Sequence, residues 1–186
     1  WGKNKPTVSA CRFSGKAYAE HNMYWNCCVA NASGVLFRRS YAIKLSDSSF
    51  LSMRYSGDWY FWFQMLLQGD MIEVYAELNK FRQHTAKVSV EGVKSGNRIK
   101  EDIDTLFLME KTFPGMKKYK RRLAHGMICR KIKKVNDADK RIELSRYLSE
   151  RLGGKASDLR LFHLNNYLRF ICPWLVTIKR DRLKVL

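Results

Sequence analysis

The stretch "YSGDWYFWFQMLLQGDMIEVYAELNKFRQHTAKVS", residues 55–89, decides how the rest of the chain is read. Within it Asp58 stands where a helix N-cap belongs and Gly69 where a helix stops. A short side-chain oxygen can accept the first free amides of a helix, and glycine takes the left-handed turn that ends one. Between them Trp59, Trp62, Phe63, Leu66 and Leu67 recur at helical spacing. Apolar residues cover nearly the whole circumference, so this helix is expected to be buried. After it, "MIEVYA" from Met71 and "LNKFRQH" ending at His84 alternate well enough to predict two short strands.

Outward toward the N-terminus, "SGVLFRR" at 33–39 is a short apolar run after a glycine and predicts a buried strand. In the other direction helical periodicity takes over from about Ser95. It predicts helices over 98–112, 116–134, 138–152 and 157–171, punctuated by "FPG" at 113–115, "VND" at 135–137 and the glycine pair 153–154. The expected architecture is therefore α/β over residues 1–94, followed by a basic α-helical extension over 95–186.

Composition narrows the classes. The 186 residues include 35 Lys and Arg against 17 Asp and Glu, a net charge of +18. An apolar fraction of 46% with 13% aromatics is too high for a disordered chain, and 11 Gly with 3 Pro exclude collagen-like or Pro-rich polymers. The charge is uneven: 12 basic and 7 acidic residues up to Lys94 give +5, and 23 basic and 10 acidic beyond it give +13. Five cysteines without CxxC spacing argue against a disulfide scaffold and a structural zinc site, and for a reducing compartment. The longest apolar run, "FICPWLV" at 170–176, falls far short of the roughly 18 residues a membrane span needs. The chain opens at Trp1 without an initiator Met or a secretory pattern, so the natural protein is expected to extend further toward the N-terminus.

Two stretches in this order resemble the C-terminal half of the catalytic domain of family 2 glycosyltransferases, which have the GT-A nucleotide-sugar fold. "NASGVLFRRS" at 31–40 is similar to the family segment in which a small-residue loop leads into a central strand. Residues 55–89 look like the family's acidic loop, buried helix, strand pair and closing RxH element. The likeness covers about residues 10–90 and leaves 95–186 without a counterpart. It also departs from the family, whose nucleotide-binding strands and Asp-x-Asp metal motif lie in an N-terminal half not found in this sequence. "DID" at 102–104 comes after the closing element, on a predicted helix, and is not taken as that motif.

The resemblance implies an inverting glycosyltransferase that moves a sugar from a nucleotide-sugar donor to a hydroxyl of a glycan or lipid-linked acceptor, in polysaccharide or cell-surface glycan synthesis. Such transfer needs a carboxylate that takes the acceptor's proton as its oxygen attacks the anomeric carbon. Asp58 holds that position, with Gly57 where the family carries Glu. A plain N-cap is the other reading, and the two roles are compatible because a helix N-terminus stabilises an anion. The leaving diphosphate implies a divalent ion, Mg or Mn, with His84 as its imidazole ligand, Arg82 near the phosphates, and the remaining ligands in the missing half. Asn31, Ser33 and Gly34, with Ala32 between them, would form the donor loop, where glycine lets the backbone approach the sugar. Trp59 is the candidate for stacking on the acceptor, while Trp62 and Phe63 are expected in the core. His21, His125 and His163 lack partners at metal-ligand spacing and are expected at surfaces or interfaces. Cys27 and Cys28 are assigned no chemistry.

The extension carries nine Lys or Arg in "KKYKRRLAHGMICRKIKK" at 117–134, and its end, "LFHLNNYLRFICPWLVTIKRDRLK", mixes aromatic, aliphatic and basic residues. That composition suits an anionic membrane surface, where each basic residue near the headgroups is worth about 1 kcal/mol. A solvated helical bundle is the plain alternative. The expected location is the cytoplasm, peripheral on the inner leaflet. Two rival functions remain: a nucleic-acid-binding protein, for which the charge is suitable but no recognised motif accompanies it, and a non-catalytic membrane-docking module.

Overall fold

A computed structural model describes residues 10–45, 48–76, 92 and 95–172. Of these, 66% are helical, and the sheet among them has two strands, so the fold is mixed but predominantly α. The described residues group into two units. One gathers 10–45, 48 and 58–76; the other gathers 49–57, 92 and 95–172.

In the first unit, β1 (Ala10–Phe13) pairs antiparallel with β2 (Met71–Val74), with Cys11 opposite Glu73 and Phe13 opposite Met71. Alternation puts Cys11 and Phe13 in the core while Arg12 faces out to pair with Asp70, Nε to Oδ2, at 2.7 Å. The Ser14 hydroxyl caps α1 (Gly15–Tyr18) by accepting the Ala17 amide, and the helix widens into a π turn over Ala19–Met23. Gly15 sits so close to the end of the next long helix that a Cβ there would lie 1.8 Å from the Gly69 carbonyl oxygen. A 3₁₀ turn, Ala32–Gly34, and α2 (Arg39–Ile43) follow. The long helix, α3 (Gly57–Leu67), buries Trp59, Tyr60, Trp62, Phe63 and Met65, as its all-round apolar pattern required.

Two expectations change here. Residues 33–39 do not form a buried strand. Val35 has extended backbone, but Leu36 is fully exposed at 102%, and Arg39 already begins α2. A central strand needs ladder partners on both sides, and among the described residues the sheet stops at β1 and β2. The N-terminus of α3 also differs: it begins at Gly57, which moves Asp58 from the cap into the first turn. The strand expected in "LNKFRQH" lies outside the described residues.

The second unit is a four-helix assembly of α4 (Asn97–Thr112), α5 (Lys118–Ile132), α6 (Ala138–Leu152) and α7 (Ala156–Ile171). Ile99, Ile103, Leu106 and Met109 line the buried side of α4; Leu123, Ala124 and Ile128 of α5, Leu144 and Leu148 of α6, and Leu159 of α7 are buried too, α4 packing on α5 and α6, and α7 on α5. Burying each such side chain is worth about 1.5–3 kcal/mol. Asp137 caps α6 by accepting the Lys140 amide, and Gly153, at φ 67°, ends it in the left-handed region. No helix among the described residues is long and apolar enough to cross a membrane.

Candidate functional site

Asp58 is exposed in the first turn of an otherwise buried helix, and its Oδ1 accepts the Trp59 amide at 2.7 Å. The first turn of a helix has free amides and positive dipole charge, which favour a carboxylate in its ionised form. Positions three and four residues further on share a helix face with Asp58, and these are Phe61 and Trp62. Phe37 packs edge-on against both rings, with centroid separations of 6.1 and 5.6 Å. Phe37 is thereby held against the side of α3 that carries Asp58.

At the start of that segment Asn31 accepts the Ser33 amide through its side chain at 3.2 Å, and its carbonyl accepts the Gly34 amide at 3.0 Å. This Asx turn winds Ala32–Gly34 into a single 3₁₀ turn whose residues are exposed. Asn31, Ser33 and Gly34 therefore form a compact, small-residue loop open to solvent, and the chain from it leads to the Asp58 face.

Trp59 has a different environment from the one an acceptor platform needs. It is 4% exposed, and its indole N–H donates to the Met23 carbonyl at 2.6 Å. Its ring ties α3 to the π turn. Arg82 and His84 lie outside the described residues. Among the described residues no three His, Cys, Asp or Glu side chains converge to hold a metal ion. All five cysteines are free thiols, and burial, with the Asp158 carboxylate nearby, pushes the Cys129 thiol above its ordinary range.

The sequence reading gave no role to two acidic neighbours, Glu101 and Asp102 of α4. The Glu101 carboxylate accepts three successive amides, those of Arg54, Tyr55 and Ser56, at 2.9, 2.6 and 2.8 Å. Asp102 is buried, accepts the Ser56 hydroxyl at 2.6 Å and is neutralised by Lys131 Nζ at 2.7 Å. Consecutive amides pointing at one anion form a nest, and here the protein supplies the anion itself. The backbone entering α3 is fixed by these two side chains. Asp102 opens the "DID" segment that is not taken as a metal motif, and both carboxylates are engaged with backbone and side-chain partners across more than 25 residues of sequence.

His125 corrects a second expectation. It is not at a surface but 5% exposed in α5, with Nε2 donating to Glu110 Oε1 at 2.9 Å and Nδ1 3.9 Å from Asp158 Oδ2. Asp158 in turn accepts from Arg122 Nε at 2.7 Å and from the Lys155 amide at 2.9 Å. Arg121 donates to the Phe113 and Pro114 carbonyls at 3.2 and 2.7 Å, closing the cluster on the α4 side. Spacing within one helix could not reveal this group, because its carboxylates come from α4 and α7. Its burial and mutual pairing make it a structural network rather than a site open to substrate.

Compared with known proteins, the chain gives no significant match to a family model, a curated protein or a solved structure.

Proposed function

We propose that the chain is the acceptor-side part of an inverting glycosyltransferase, with Asp58 as the general base. The observation that supports this most is the placement of one exposed carboxylate at the head of a buried aromatic helix, on the face against which Phe37, three residues after a solvent-open Asn-Ala-Ser-Gly loop, packs. In the reaction the acceptor hydroxyl oxygen forms a bond to the anomeric carbon while its proton passes to the Asp58 carboxylate. The bond from the anomeric carbon to the donor's diphosphate breaks with its electron pair leaving on the diphosphate, and the anomeric configuration inverts. Asn31, Ser33 and Gly34 line the donor side, where small residues leave room for a sugar. Trp59 serves by anchoring α3, so that Asp58 keeps its position. The divalent ion of such enzymes would have His84 as its imidazole ligand.

The test is Asp58→Asn in the full encoded protein, assayed by release of nucleoside diphosphate. The amide still accepts the Trp59 N–H but cannot take a proton, so turnover falls by about 10²- to 10⁴-fold while donor affinity stays near normal. Near-normal turnover removes Asp58 from the mechanism.

A further inference from the structure

We propose that the bundle end formed by the last two turns of α7 and the first turn of α5 docks on anionic lipid bilayers. This stands independently of the glycosyl-transfer reading. Along α7, Leu164, Tyr167 and Ile171 recur at helical spacing and are all exposed, and Leu168 and Phe170 widen the stripe. Tyr167 is 61% exposed and Phe170 87%. The Asn165 side of the same helix already packs inward, as does Leu159 in its first turns. The outward stripe is therefore surplus to the core, and a contiguous exposed apolar face marks an interaction surface.

The basic component comes from a distant part of the sequence. The Arg122–Asp158 pair at 2.7 Å and the hydrogen bond from the Tyr119 hydroxyl to Asn165 Oδ1 at 2.8 Å show that α5 and α7 run antiparallel. The start of α5 thus lies beside the end of α7. There Lys117, Lys118 and Tyr119 are exposed, as is Arg169 on α7 itself. No acidic residue occurs in 117–134 or in 159–171. An apolar stripe with Lys117, Lys118 and Arg169 at its edge fits a partner that offers both acyl chains and anionic headgroups.

Other partners fit less well. A two-fold contact with a second copy would press Lys117, Lys118 and Arg169 against their own counterparts. Nucleic acid would satisfy the charge but leaves Leu164, Leu168 and Ile171 without a use. The structure also narrows the sequence-based picture, in which the basic composition of 117–134 suits an anionic membrane without distinguishing among its residues. Arg121, Arg122 and Lys131 of that run are spent on partners inside the bundle.

Co-sedimentation of the chain with vesicles of phosphatidylcholine, with or without phosphatidylglycerol, tests this. Binding is expected only with phosphatidylglycerol, falling steeply as salt rises because the headgroup attraction is screened. Lys117→Gln with Lys118→Gln should weaken it by more than tenfold, at about 1 kcal/mol per residue. Leu164→Ser with Tyr167→Ser and Phe170→Ser should abolish it with the circular dichroism unchanged. Phe170→Ser alone, at the most exposed position, should weaken binding without endangering the fold. Equal binding to phosphatidylcholine alone overturns the proposal, as does binding that survives both sets of changes. A concentration-dependent dimer that the serine variant dissolves, without any vesicle binding, assigns the face to self-association instead.

Discussion

The first unit and the helical bundle treat polar and apolar groups in opposite ways. In the first, one helix collects the aromatic core, while Leu36, Phe37 and Ile43 of the neighbouring segment stand exposed. In the bundle the aliphatic core is complete along α4, α5 and α6, and a charged network, Glu110, His125, Asp158 and Arg122, is drawn inside with it. A complete hydrophobic stripe lets helices close on one another, and once they are closed, any polar group caught between them must find a partner. In the first unit the ordering contacts include the Trp59 indole on Met23 and Phe37 on Phe61 and Trp62.

The sharpest way to break this comparison is to remove the centre of the bundle's network. His125→Ala leaves Glu110 without its imidazole partner and opens a void among buried side chains. A loss of about 3–5 kcal/mol is expected, read by chemical denaturation. A loss under about 1 kcal/mol would mean that the aliphatic core alone holds the bundle, and the contrast with the first unit would shrink to a matter of size.

A smaller effect is expected at the nest before α3. Glu101→Gln keeps the shape but removes the negative charge that three amides share. Hydrogen bonds to a charged group contribute about 1.5–3 kcal/mol, so a loss near the lower end of that range is expected. Hydrogen exchange at Arg54, Tyr55 and Ser56 should quicken, while exchange in α6 stays as it was. Unchanged exchange at these three amides would show that the backbone there is set by its own turn and not by the carboxylate.

The smallest effect is a titration. The Tyr147 hydroxyl donates to Asp104 Oδ1 at 2.5 Å. Burial, and then that hydrogen bond, push its pKa up to about 12 from 10. Tyr75, in the first unit, is likewise raised to about 12, by burial and by donating to Glu73 at 2.9 Å. A folded pKa above the unfolded one means that the native state holds the proton more tightly. The associated stability is fully present below pH 10 and is lost as pH rises through about 12. Ultraviolet titration should show late ionisation of Tyr147 and Tyr75, and Tyr147→Phe should remove the Tyr147 contribution alone. Loss of the Tyr75 contribution in the same variant would contradict the assignment of the two to separate units.

What could be read from the sequence follows the range of the interactions. The four bundle helices begin and end within two residues of their expected limits, since helical hydrogen bonds are local and their stops, Pro114 and Gly153, are adjacent in sequence. The burial of α3 was legible for the same reason. β1 was not, because four residues become a strand only when β2, nearly 60 positions later, pairs with them. The apolar run at 33–39 read as a buried strand because composition reports apolar content and not whether ladder partners exist. Among the candidate site residues, the place of Asp58 at a helix start and the tight Asn31–Gly34 turn follow from local sequence. The burial of Trp59 does not, for it depends on Met23. Nor do the separate fates of Arg121 and Lys118, three positions apart: one meets the Phe113 and Pro114 carbonyls, and the other faces solvent.

The contact of Gly126 with α7 has a mechanical consequence. A Cβ at that position would lie 2.2 Å from the Asp158 carbonyl oxygen, so the two backbones meet at a notch only glycine can form. One helical turn, about 5.4 Å, separates Gly126 from Arg122 on one side and Arg130 on the other. Sliding α7 along α5 by a turn would drive its backbone against an arginine and pull Asp158 off Arg122 in the same movement. The pair can separate as a whole, but it cannot ratchet, and α7 keeps one register on α5.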